Sequence, residues 1–290
     1  MASPSAAIPP SAATAVVGVI GDPVAHSLSP LLHNTAFAEL GLDWVSVGFR
    51  VRAGHACEAL VGARALGLRG LSITMPHKGA VADLVERRSP LADRLGAVNS
   101  VILGDGPTFG DNTDGPGLVA ALRRGDRFDP DGRRCLVIGA GGAARAVIAG
   151  LAEAGAREVI VVNRSAERGA QAAELAGPVG RVGVAEDATL CDLVVNATPL
   201  GMEGAGQVPP SWPIDPALLV KGQFVVDLVY HPPVTAWLQA ARERGAEVAN
   251  GLGMLVHQAA LQLGAWTGVE PPVEAMWRAV HPASGEAGSQ

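Results

Sequence analysis

Apolar and polar positions alternate along most of the chain, in blocks whose lengths suit strands and helices in turn. Short apolar runs bounded by Gly or polar residues are typical of buried strands, and they predict strands over 16–20, 44–49, 70–74, 98–103, 134–138, 159–162, 193–195 and 224–226. Longer segments with helical start and stop residues predict helices over 31–40, 117–124, 143–154, 166–175, 235–244 and 254–266. The polar segment 109–114 predicts a loop. Such alternation is typical of parallel sheets covered by helices, so the predicted fold class is α/β.

The order of these segments predicts two domains, of which the first is discontinuous. A chain of 290 residues suits two domains better than one. The predicted bounds are 15–113 with 251–290 for an N-terminal α/β domain and 114–250 for a Rossmann-type nucleotide domain, because the last helix is expected to pack back onto the first unit. Residues 1–14 are rich in Ala, Ser and Pro and lack a basic region and an apolar core, which predicts a disordered tail and not a signal peptide.

Composition narrows the classes of partner. The net charge of -6 argues against a nucleic acid, since nothing here neutralises a run of phosphates. No apolar stretch is long enough to span a bilayer, so no membrane partner is expected. The three cysteines are widely spaced without a CxxC pair, and the seven histidines show no metal-ligand spacing. We therefore expect neither disulfides nor a metal, and a reducing cytoplasm fits.

A glycine-rich loop follows the predicted strand 134–138 and opens the next helix. It comprises Gly139, Ala140, Gly141, Gly142 and Ala143. In this position glycines make the tight turn and let the backbone approach a pyrophosphate, which the amides at the helix start bind. The setting between strand and helix favours a dinucleotide site over the alternative, an ordinary flexible loop.

The end of the next predicted strand indicates which dinucleotide binds. An NAD site usually carries Asp or Glu there, bonded to the ribose 2′-hydroxyl. Here the strand leads into Asn163, Arg164 and Ser165, with Arg168 one turn further. A guanidinium matches a 2′-phosphate in charge and geometry, so NADP is predicted. The alternative is that both arginines belong to a solvated face.

Polar residues also cluster after the strands of the first half. Ser27 and Ser29 alternate in an extended segment, so both hydroxyls can bind a substrate carboxylate; alternatively Ser29, which precedes Pro30, is a helix N-cap. Lys78 follows the strand 70–74, where ligands collect in open α/β sheets, although an exposed lysine is the ordinary expectation. The segment 111–115 is also compatible with a simple turn.

Taken in order, these motifs make the chain resemble the shikimate dehydrogenase family over nearly its whole length after the tail. The motifs are Ser27-Leu28-Ser29, Thr74-Met75-Pro76-His77-Lys78, Gly96-Ala97-Val98-Asn99, Asn112-Thr113-Asp114-Gly115, Gly139–Ala143, Asn163-Arg164-Ser165, Asn196-Ala197-Thr198, Asp227-Leu228-Val229-Tyr230 and the segment 251–258. Each motif alone is modest, but their joint order is very specific. Ser72, Ser100 and Asp111 depart from the family pattern, and quinate and aminoshikimate dehydrogenases share most of these motifs.

The resemblance implies the roles of individual residues in an NADP-dependent reduction of 3-dehydroshikimate to shikimate, a step of aromatic amino acid biosynthesis. It implies Lys78 and Asp114 as the catalytic pair. The implied substrate-binding residues are Ser27, Ser29, Thr74, Asn99, Tyr230 and Gln258. Besides the loop and the Asn-Arg-Ser segment, the implied cofactor-binding residues are Thr198, Leu228, Gly251 and Met254.

The implied mechanism uses the cofactor for the hydride and the protein for position and a proton. A nearby ammonium can stabilise the developing alkoxide, a role that we assign to Lys78, with Asp114 orienting it. Whether Lys78 alone or the coupled pair moves the proton stays open. The alternative functions are a quinate or aminoshikimate dehydrogenase of the same family and, from another class, a non-catalytic NADP-binding regulatory protein. The expected assembly is a monomer or a homodimer.

Overall fold

The computed structural model describes residues 9–125, 128–202 and 212–281, which fall into two units. The described parts of Met1–Thr113 and Val256–Gln290 form the first unit, and those of Asp114–Leu255 form the second. Of the predicted tail, residues 1–8 lie outside the described residues. Thr14 closes a turn and its hydroxyl donates to Asp43 Oδ1 at 2.7 Å, directly before the first strand.

The first unit holds a six-stranded sheet whose order is β2-β1-β3-β5-β6-β4. Its strands are β1 Ala15–Gly21, β2 Trp44–Arg50, β3 Gly70–Ile73, β4 Arg87–Arg88, β5 Ser100–Ile102 and β6 Phe109–Asp111. The helices are α1 Ser29–Glu39, α2 Ala56–Ala65, α3 Lys78–Leu84, α4 Pro90–Leu95 and α10 Val273–Val280, together with the part of α9 Leu252–Thr267 from Val256 onward.

The prediction of a parallel sheet is wrong for this unit. β1 pairs in parallel with β2 and β3, but β5 runs antiparallel to both β3 and β6. The predicted loop over 109–114 is also wrong in its first part, because Phe109–Asp111 is strand β6, which forms an antiparallel hairpin with β5. A Cβ on Gly110 would come 2.7 Å from a Val98 methyl carbon, so this strand depends on close packing. The local pattern of polar residues does not predict such packing.

Helix α9 packs against the first sheet, as predicted. The Trp266 indole donates to the Val101 carbonyl at 3.0 Å, and the Gln262 amide donates to the Asn99 carbonyl at 3.0 Å. Gly70 makes room for this indole, because a Cβ there would overlap the ring. The apolar core beneath includes Leu71 and many other fully buried side chains.

The second unit holds a six-stranded parallel sheet in the order β12-β11-β10-β7-β8-β9. Its strands are β7 Arg134–Ile138, β8 Glu158–Val162, β9 Gly180–Val182, β10 Leu193–Asn196, β11 Phe224–Asp227 and β12 Glu247–Asn250. The helices are α5 Asp114–Arg124, α6 Gly142–Glu153, α7 Ala166–Ala173 and α8 Ala236–Glu243, with 3-10 turns at Glu174–Val179, Ala185–Leu190 and Pro216–Leu218. The strand order reverses between β7 and β10, which is the Rossmann arrangement and confirms that prediction.

Candidate active site

The first two polar segments of the first unit lie at one edge of its sheet. Because β1 and β3 are parallel neighbours, the segments that follow them emerge side by side. The Thr74 amide donates to the Ile20 carbonyl at 2.9 Å. A Cβ on Gly21 would overlap the Thr74 methyl group, so glycine is needed at the end of β1. Thr74 is thus held beside the turn that leads to Ser27 and Ser29.

Ser29 does not cap helix α1. The helix begins at Ser29, its N-cap residue is Leu28, and that cap makes no side-chain hydrogen bond. Instead, the Ser27 hydroxyl accepts from the Ser29 amide at 3.3 Å. Ser29 is buried and Ser27 is half-buried. The capping alternative for Ser29 is therefore wrong, and its role toward a carboxylate stays a prediction.

The antiparallel direction of β5 brings Asn99 to the same edge. Asn99 precedes β5, and the amino end of an antiparallel strand lies beside the carboxyl ends of its parallel neighbours. The Ile73 amide donates to the Asn99 carbonyl at 2.8 Å, and the Val98 amide donates to the Lys78 carbonyl at 2.9 Å. The backbone thus links the segment after β3, which carries Thr74 and Lys78, to Asn99.

Lys78 and Asp114 each begin a helix, whereas the sequence predicted a loop at Asp114 and no helix at Lys78. Lys78 is the first residue of α3, half-buried, after His77, whose imidazole contacts the Val51 carbonyl at 2.7 Å. Asp114, in the second unit, is the buried first residue of α5. A carboxylate stabilises a helix N-terminus and an ammonium does not. Helix stability therefore accounts for Asp114 but not for Lys78, which favours a functional role for the lysine.

A buried hydrogen-bond network joins Asn99 to Gln258. The Thr113 amide donates to Asn99 Oδ1 at 2.8 Å, and Asn99 Nδ2 donates to Thr113 Oγ1 at 3.0 Å. The Thr113 hydroxyl donates to the Gln258 carbonyl at 3.1 Å, and Asn99 Nδ2 lies 3.5 Å from Gln258 Oε1. Two predicted substrate-binding residues are therefore brought together through Thr113, a residue without a role in the sequence prediction.

Asp111, the additional carboxylate beside this network, has structural partners. Its Oδ1 accepts from the Ser89 hydroxyl at 2.5 Å and from the Asn112 amide at 2.7 Å. Ser89 is in turn the N-cap of α4 and accepts from the Ala92 amide at 3.1 Å. These bonds fix Asp111 as a brace between β6 and α4.

In the second unit, the glycine-rich loop lies at the point where the strand order reverses, the usual ligand crevice of such sheets. The Gly139 amide donates to the Val162 carbonyl at 2.9 Å, and Gly139 has a φ of 114°. A Cβ on Gly139 would lie 3.1 Å from the Thr198 methyl carbon, at the end of β10. Only glycine combines this conformation with this close approach, and Ala140 behind it is buried.

The start of α6 is open toward a ligand. Gly141 is the N-cap residue without a side-chain cap, and α6 begins at Gly142. Among the described residues, and apart from its own neighbours in the chain, a Cβ on either glycine would meet no atom within 4 Å. Ala143 is half-buried and Ala144 fully buried beneath them. The amides at this helix start therefore fit a pyrophosphate.

The segment after β8 presents two arginines on a fixed turn. Asn163 Nδ2 donates to the Ser165 carbonyl at 2.9 Å, and Ser165 Oγ caps α7 by accepting from the Arg168 amide at 3.3 Å. Arg164 and Arg168 are exposed, and neither guanidinium makes an ion pair with any residue that the structure describes. This arrangement fits a 2′-phosphate.

A buried carboxylate orders the loops after β10 and β11. Asn196 Oδ1 accepts from the amide and hydroxyl of Thr198 at 3.0 and 2.7 Å, while its Nδ2 donates to Asp227 Oδ1 at 2.9 Å. Asp227 also accepts from the Val229 amide at 3.1 Å and the Thr235 hydroxyl at 2.8 Å. Burial raises the pKa of Asp227 to about 6, although these hydrogen bonds act in the opposite direction.

The remaining predicted residues of the second unit lie beyond this carboxylate. Burial raises the pKa of the Tyr230 phenol, which keeps it a neutral hydrogen-bond donor near pH 7. A Cβ on Gly251 would overlap the Leu228 carbonyl, so these two residues lie in contact. Leu228 and Met254 are half-buried.

The sequence missed Gln262, Thr113, Asn196 and Asp227 as functional candidates. A detectable signal existed for Gln262, since it is a polar residue one turn after Gln258 in a largely apolar helix. Within the described ranges, no group of three or more His, Cys, Asp or Glu side chains is placed to hold a metal ion. No helix among the described residues is both long and apolar enough to cross a membrane.

Comparison with family models finds three matches along the chain. Residues 19–101 match the substrate binding domain of shikimate dehydrogenase. Residues 122–198 match the shikimate / quinate 5-dehydrogenase model, and residues 251–281 match the C-terminal domain of shikimate 5′-dehydrogenase. The matched segments include the polar edge of the first sheet and the glycine-rich loop.

Individual proteins are similar over nearly the full length. A shikimate dehydrogenase (NADP(+)) of Moorella thermoacetica is 42% identical, covering 94% of this chain and 95% of that protein. The crystal structure of shikimate 5-dehydrogenase from Thermus thermophilus with NADP(H) and shikimate is 38% identical, with a TM-score of 0.85 and coverage of 92% of this chain and 99% of that one. A quinate dehydrogenase from Corynebacterium glutamicum in complex with NAD is 32% identical, with a TM-score of 0.84 and coverage of 92% and 99%.

Proposed function

Since this chain belongs to the shikimate dehydrogenase family, we propose that it catalyses the reversible reduction of 3-dehydroshikimate to shikimate with NADPH. The observation that carries the proposal is the buried network of Asn99, Thr113 and Gln258, at the sheet edge where the Lys78 backbone is bonded to Val98. A non-catalytic NADP-binding module would need the glycine-rich loop but not this polar edge.

NADP is held by the second unit in this proposal. The amides at Gly141 and Gly142 bind the pyrophosphate, and Arg164 with Arg168 binds the 2′-phosphate. When bound, the cofactor supplies or accepts the hydride. Thr198, which Asn196 orients, lies beside Gly139 and lines the same loop. Leu228, Gly251 and Met254 complete the contacts.

The ring of the substrate is held by hydrogen bonds. Ser27, Ser29 and Tyr230 bind the carboxylate as neutral donors, which suits a phenol whose pKa burial has raised. Thr74, Asn99 and Gln258 bind the ring hydroxyls, since amides and hydroxyls both donate to and accept from a hydroxyl group. The burial of Ser29, Asn99 and Gln258 keeps these bonds away from competing water.

Lys78 supplies the proton. Hydride addition at C3 places negative charge on the former carbonyl oxygen, where a positioned ammonium stabilises it and donates a proton. Asp114 orients Lys78 and the neighbouring C4 hydroxyl. The oxidation of shikimate follows the same path in reverse, with Lys78 accepting the hydroxyl proton.

We also propose that residues 15–113 and 251–290 form the substrate domain and 114–250 the cofactor domain. The two units support this division, although their boundary falls between Leu255 and Val256. A cytoplasmic location is supported by three free cysteines, of which burial raises the pKa of Cys135 and Cys191. The proposed assembly is a monomer or a homodimer.

Initial rates with four substrate pairs test the proposed function: shikimate and quinate, each with NADP and with NAD. We expect shikimate with NADP to give the highest kcat/KM. A higher kcat/KM for quinate would replace the proposed substrate, and a higher value with NAD would replace the proposed cofactor. No turnover with any pair would favour a regulatory module.

A further inference from the structure

We propose that Gln262 is a positioning residue that fixes the side-chain amide of Gln258, so that Gln258 presents its NH₂ group, as a hydrogen-bond donor, to an oxygen of the substrate. This inference rests on the proposed function and concerns a residue that no motif in the sequence includes. Both glutamines lie on α9, one turn apart, and both are buried.

The orientation of Gln262 follows from a backbone carbonyl. The Asn99 carbonyl can only accept, so the Gln262 atom 3.0 Å from it must be its nitrogen, Nε2. The same nitrogen lies 3.0 Å from Gln258 Oε1. The two hydrogens of one NH₂ group therefore bind the Asn99 carbonyl and the oxygen of the Gln258 amide.

A second chain of hydrogen bonds leads independently to the same orientation. The Thr113 amide can only donate, so Asn99 faces it with Oδ1, at 2.8 Å. Asn99 Nδ2 then points the other way, to Thr113 Oγ1 at 3.0 Å and to Gln258 Oε1 at 3.5 Å. Two NH₂ groups thus converge on Gln258 Oε1, and Gln258 Nε2 is the part of the amide directed away from both.

The burial of Gln262 and its unpaired amide oxygen support a role for its NH₂ group. Its side chain is fully buried, and its Oε1 accepts no hydrogen bond from any residue the structure describes. A buried acceptor without a donor destabilises the fold. An apolar side chain at this position of an apolar helix would avoid that cost. Only a polar residue at this position can make the two hydrogen bonds that Gln262 Nε2 makes.

A double-mutant cycle tests the proposal. Gln262→Met keeps the length of the side chain and removes both donors, and Gln258→Ala removes the amide that they orient. We expect Gln262→Met to raise the KM for shikimate about tenfold, the effect of losing one well-oriented hydrogen bond. kcat and the KM for NADP should change much less. In the Gln258→Ala background, the same substitution should change the KM for shikimate by less than about twofold, because coupled residues are not additive.

Each other outcome has a defined meaning. If Gln258→Ala leaves the KM for shikimate unchanged, the substrate site is wrongly assigned and the inference falls with it. If Gln258→Ala raises KM but Gln262→Met acts equally in both backgrounds, or does not act, the site stands and the positioning role is overturned. Should the Met variant not fold, Gln262→Glu gives the same comparison, since a carboxylate has no NH₂ group.

Gln223→Met is the matched control. Gln223 is also buried and donates through its NH₂ group to two backbone carbonyls, those of Ala188 and Cys191, in the second unit. Its replacement should lower thermal stability and leave the KM for shikimate unchanged. If the control raises this KM as much as Gln262→Met does, loss of a buried amide in general explains the result and the proposal is wrong.

Discussion

The glycine-rich loop of the second unit and the polar edge of the first unit are built from different parts of the chain. In the second unit, the surface proposed to bind the pyrophosphate, at Gly141 and Gly142, is backbone, and the residues around it serve to shape a turn. In the first unit, the polar edge consists of side chains such as Thr74, Asn99 and Gln258, which come from distant parts of the sequence. A backbone site recognises a general feature such as a phosphate, whereas a side-chain site recognises one arrangement of hydroxyls.

Sheet direction explains part of this difference. In the second unit all six strands are parallel, so every loop at the carboxyl edge follows a strand. In the first unit β5 runs the other way, and the residue that precedes it, Asn99, reaches the edge where β1 and β3 end. Substitutions at the polar edge of the first unit should therefore affect catalysis and substrate binding, and those at the glycine-rich loop and after β8 in the second unit should affect cofactor binding.

The largest effect is expected for Lys78→Met. The variant should fold and bind NADPH nearly as the wild type does, because the proposed cofactor-binding residues lie in the other unit. Turnover should fall roughly a hundredfold or more, as is usual for loss of a positioned acid. Steady-state kinetics with shikimate and NADP, and titration with NADPH, measure the two effects.

The chain offers a clean control, since its only other lysine is Lys221. Lys221 is exposed and lies in the second unit, so Lys221→Met should keep turnover within about twofold. Asp114→Asn should resemble Lys78→Met. Turnover within about threefold of the wild type in both variants of the pair would remove the catalytic assignment.

Cofactor choice should respond to Arg164→Ala in the second unit. A charge-assisted contact to the 2′-phosphate contributes roughly 1.5–3 kcal/mol, or about ten- to a hundredfold in affinity. The KM for NADP should rise by about that factor while the KM for NAD changes little. Arg168→Ala should act in the same direction more weakly, since a more solvated contact is worth less.

Arg157→Ala is the control, because Arg157 is another exposed arginine of the second unit. It should leave the KM for NADP and the KM for NAD unchanged. Equal weakening of NADP and NAD by Arg164→Ala would mean that Arg164 has a structural role. A wild-type enzyme that already prefers NAD would contradict the cofactor assignment directly.

The sequence predicted the second unit better than the first because its signals are local. The strand Arg134–Ile138 has the predicted bounds, and the turn that follows it has a positive φ at Gly139, which the glycine itself signals in the sequence. In the first unit, β6 exists through its pairing with β5 and its packing against Val98. Such contacts join residues that no local pattern connects, and the strand therefore looked like a loop.

In the candidate site, too, the local motifs were predicted from the sequence and the contacts between distant residues were not. Motif order was enough to single out Asn99 and Gln258, but not the bonds that join them through Thr113. For Gln262 the sequence shows a polar residue in a largely apolar helix, but not that its NH₂ group lies between the Asn99 carbonyl and Gln258 Oε1. The helix start at Lys78 was missed because α3 is short and follows a proline-containing turn.

The serine pair should affect substrate binding and not folding. Ser27→Ala with Ser29→Ala removes two donors to the proposed carboxylate, which should weaken shikimate binding by roughly 1–3 kcal/mol, or about five- to a hundredfold in KM. The KM for NADP should not change. Because Ser29 is not the helix cap, the thermal midpoint should fall only slightly. A large loss of stability with an unchanged KM for shikimate would contradict this assignment.

The smallest predicted effect is a difference between the two units in how their stability depends on pH. His33 in the first unit is fully buried, 3.0 Å from the Ser46 hydroxyl, and burial lowers its pKa to about 3. Below its unfolded pKa of 6.5, the unfolded chain binds a proton that the folded chain does not, so stability falls as the pH falls from about 6.5 toward 3.

Asp227 in the second unit, whose pKa burial raises from 3.8 to about 6, changes stability with pH in the opposite direction. Its folded form keeps a proton that the unfolded chain has lost, so stability falls as the pH rises through 6.

Acidification from pH 7.5 to 5.5 should therefore destabilise the first unit relative to the second. The loss from His33 is about 1 kcal/mol, which corresponds to a few degrees in thermal midpoint. Hydrogen exchange measured on peptides from each unit should show protection falling faster in the first. His33→Gln, which cannot titrate, should remove this part of the pH slope. An unchanged slope in His33→Gln would mean that His33 does not remain neutral in the folded protein, and that the acid sensitivity of the first unit comes from its carboxylates.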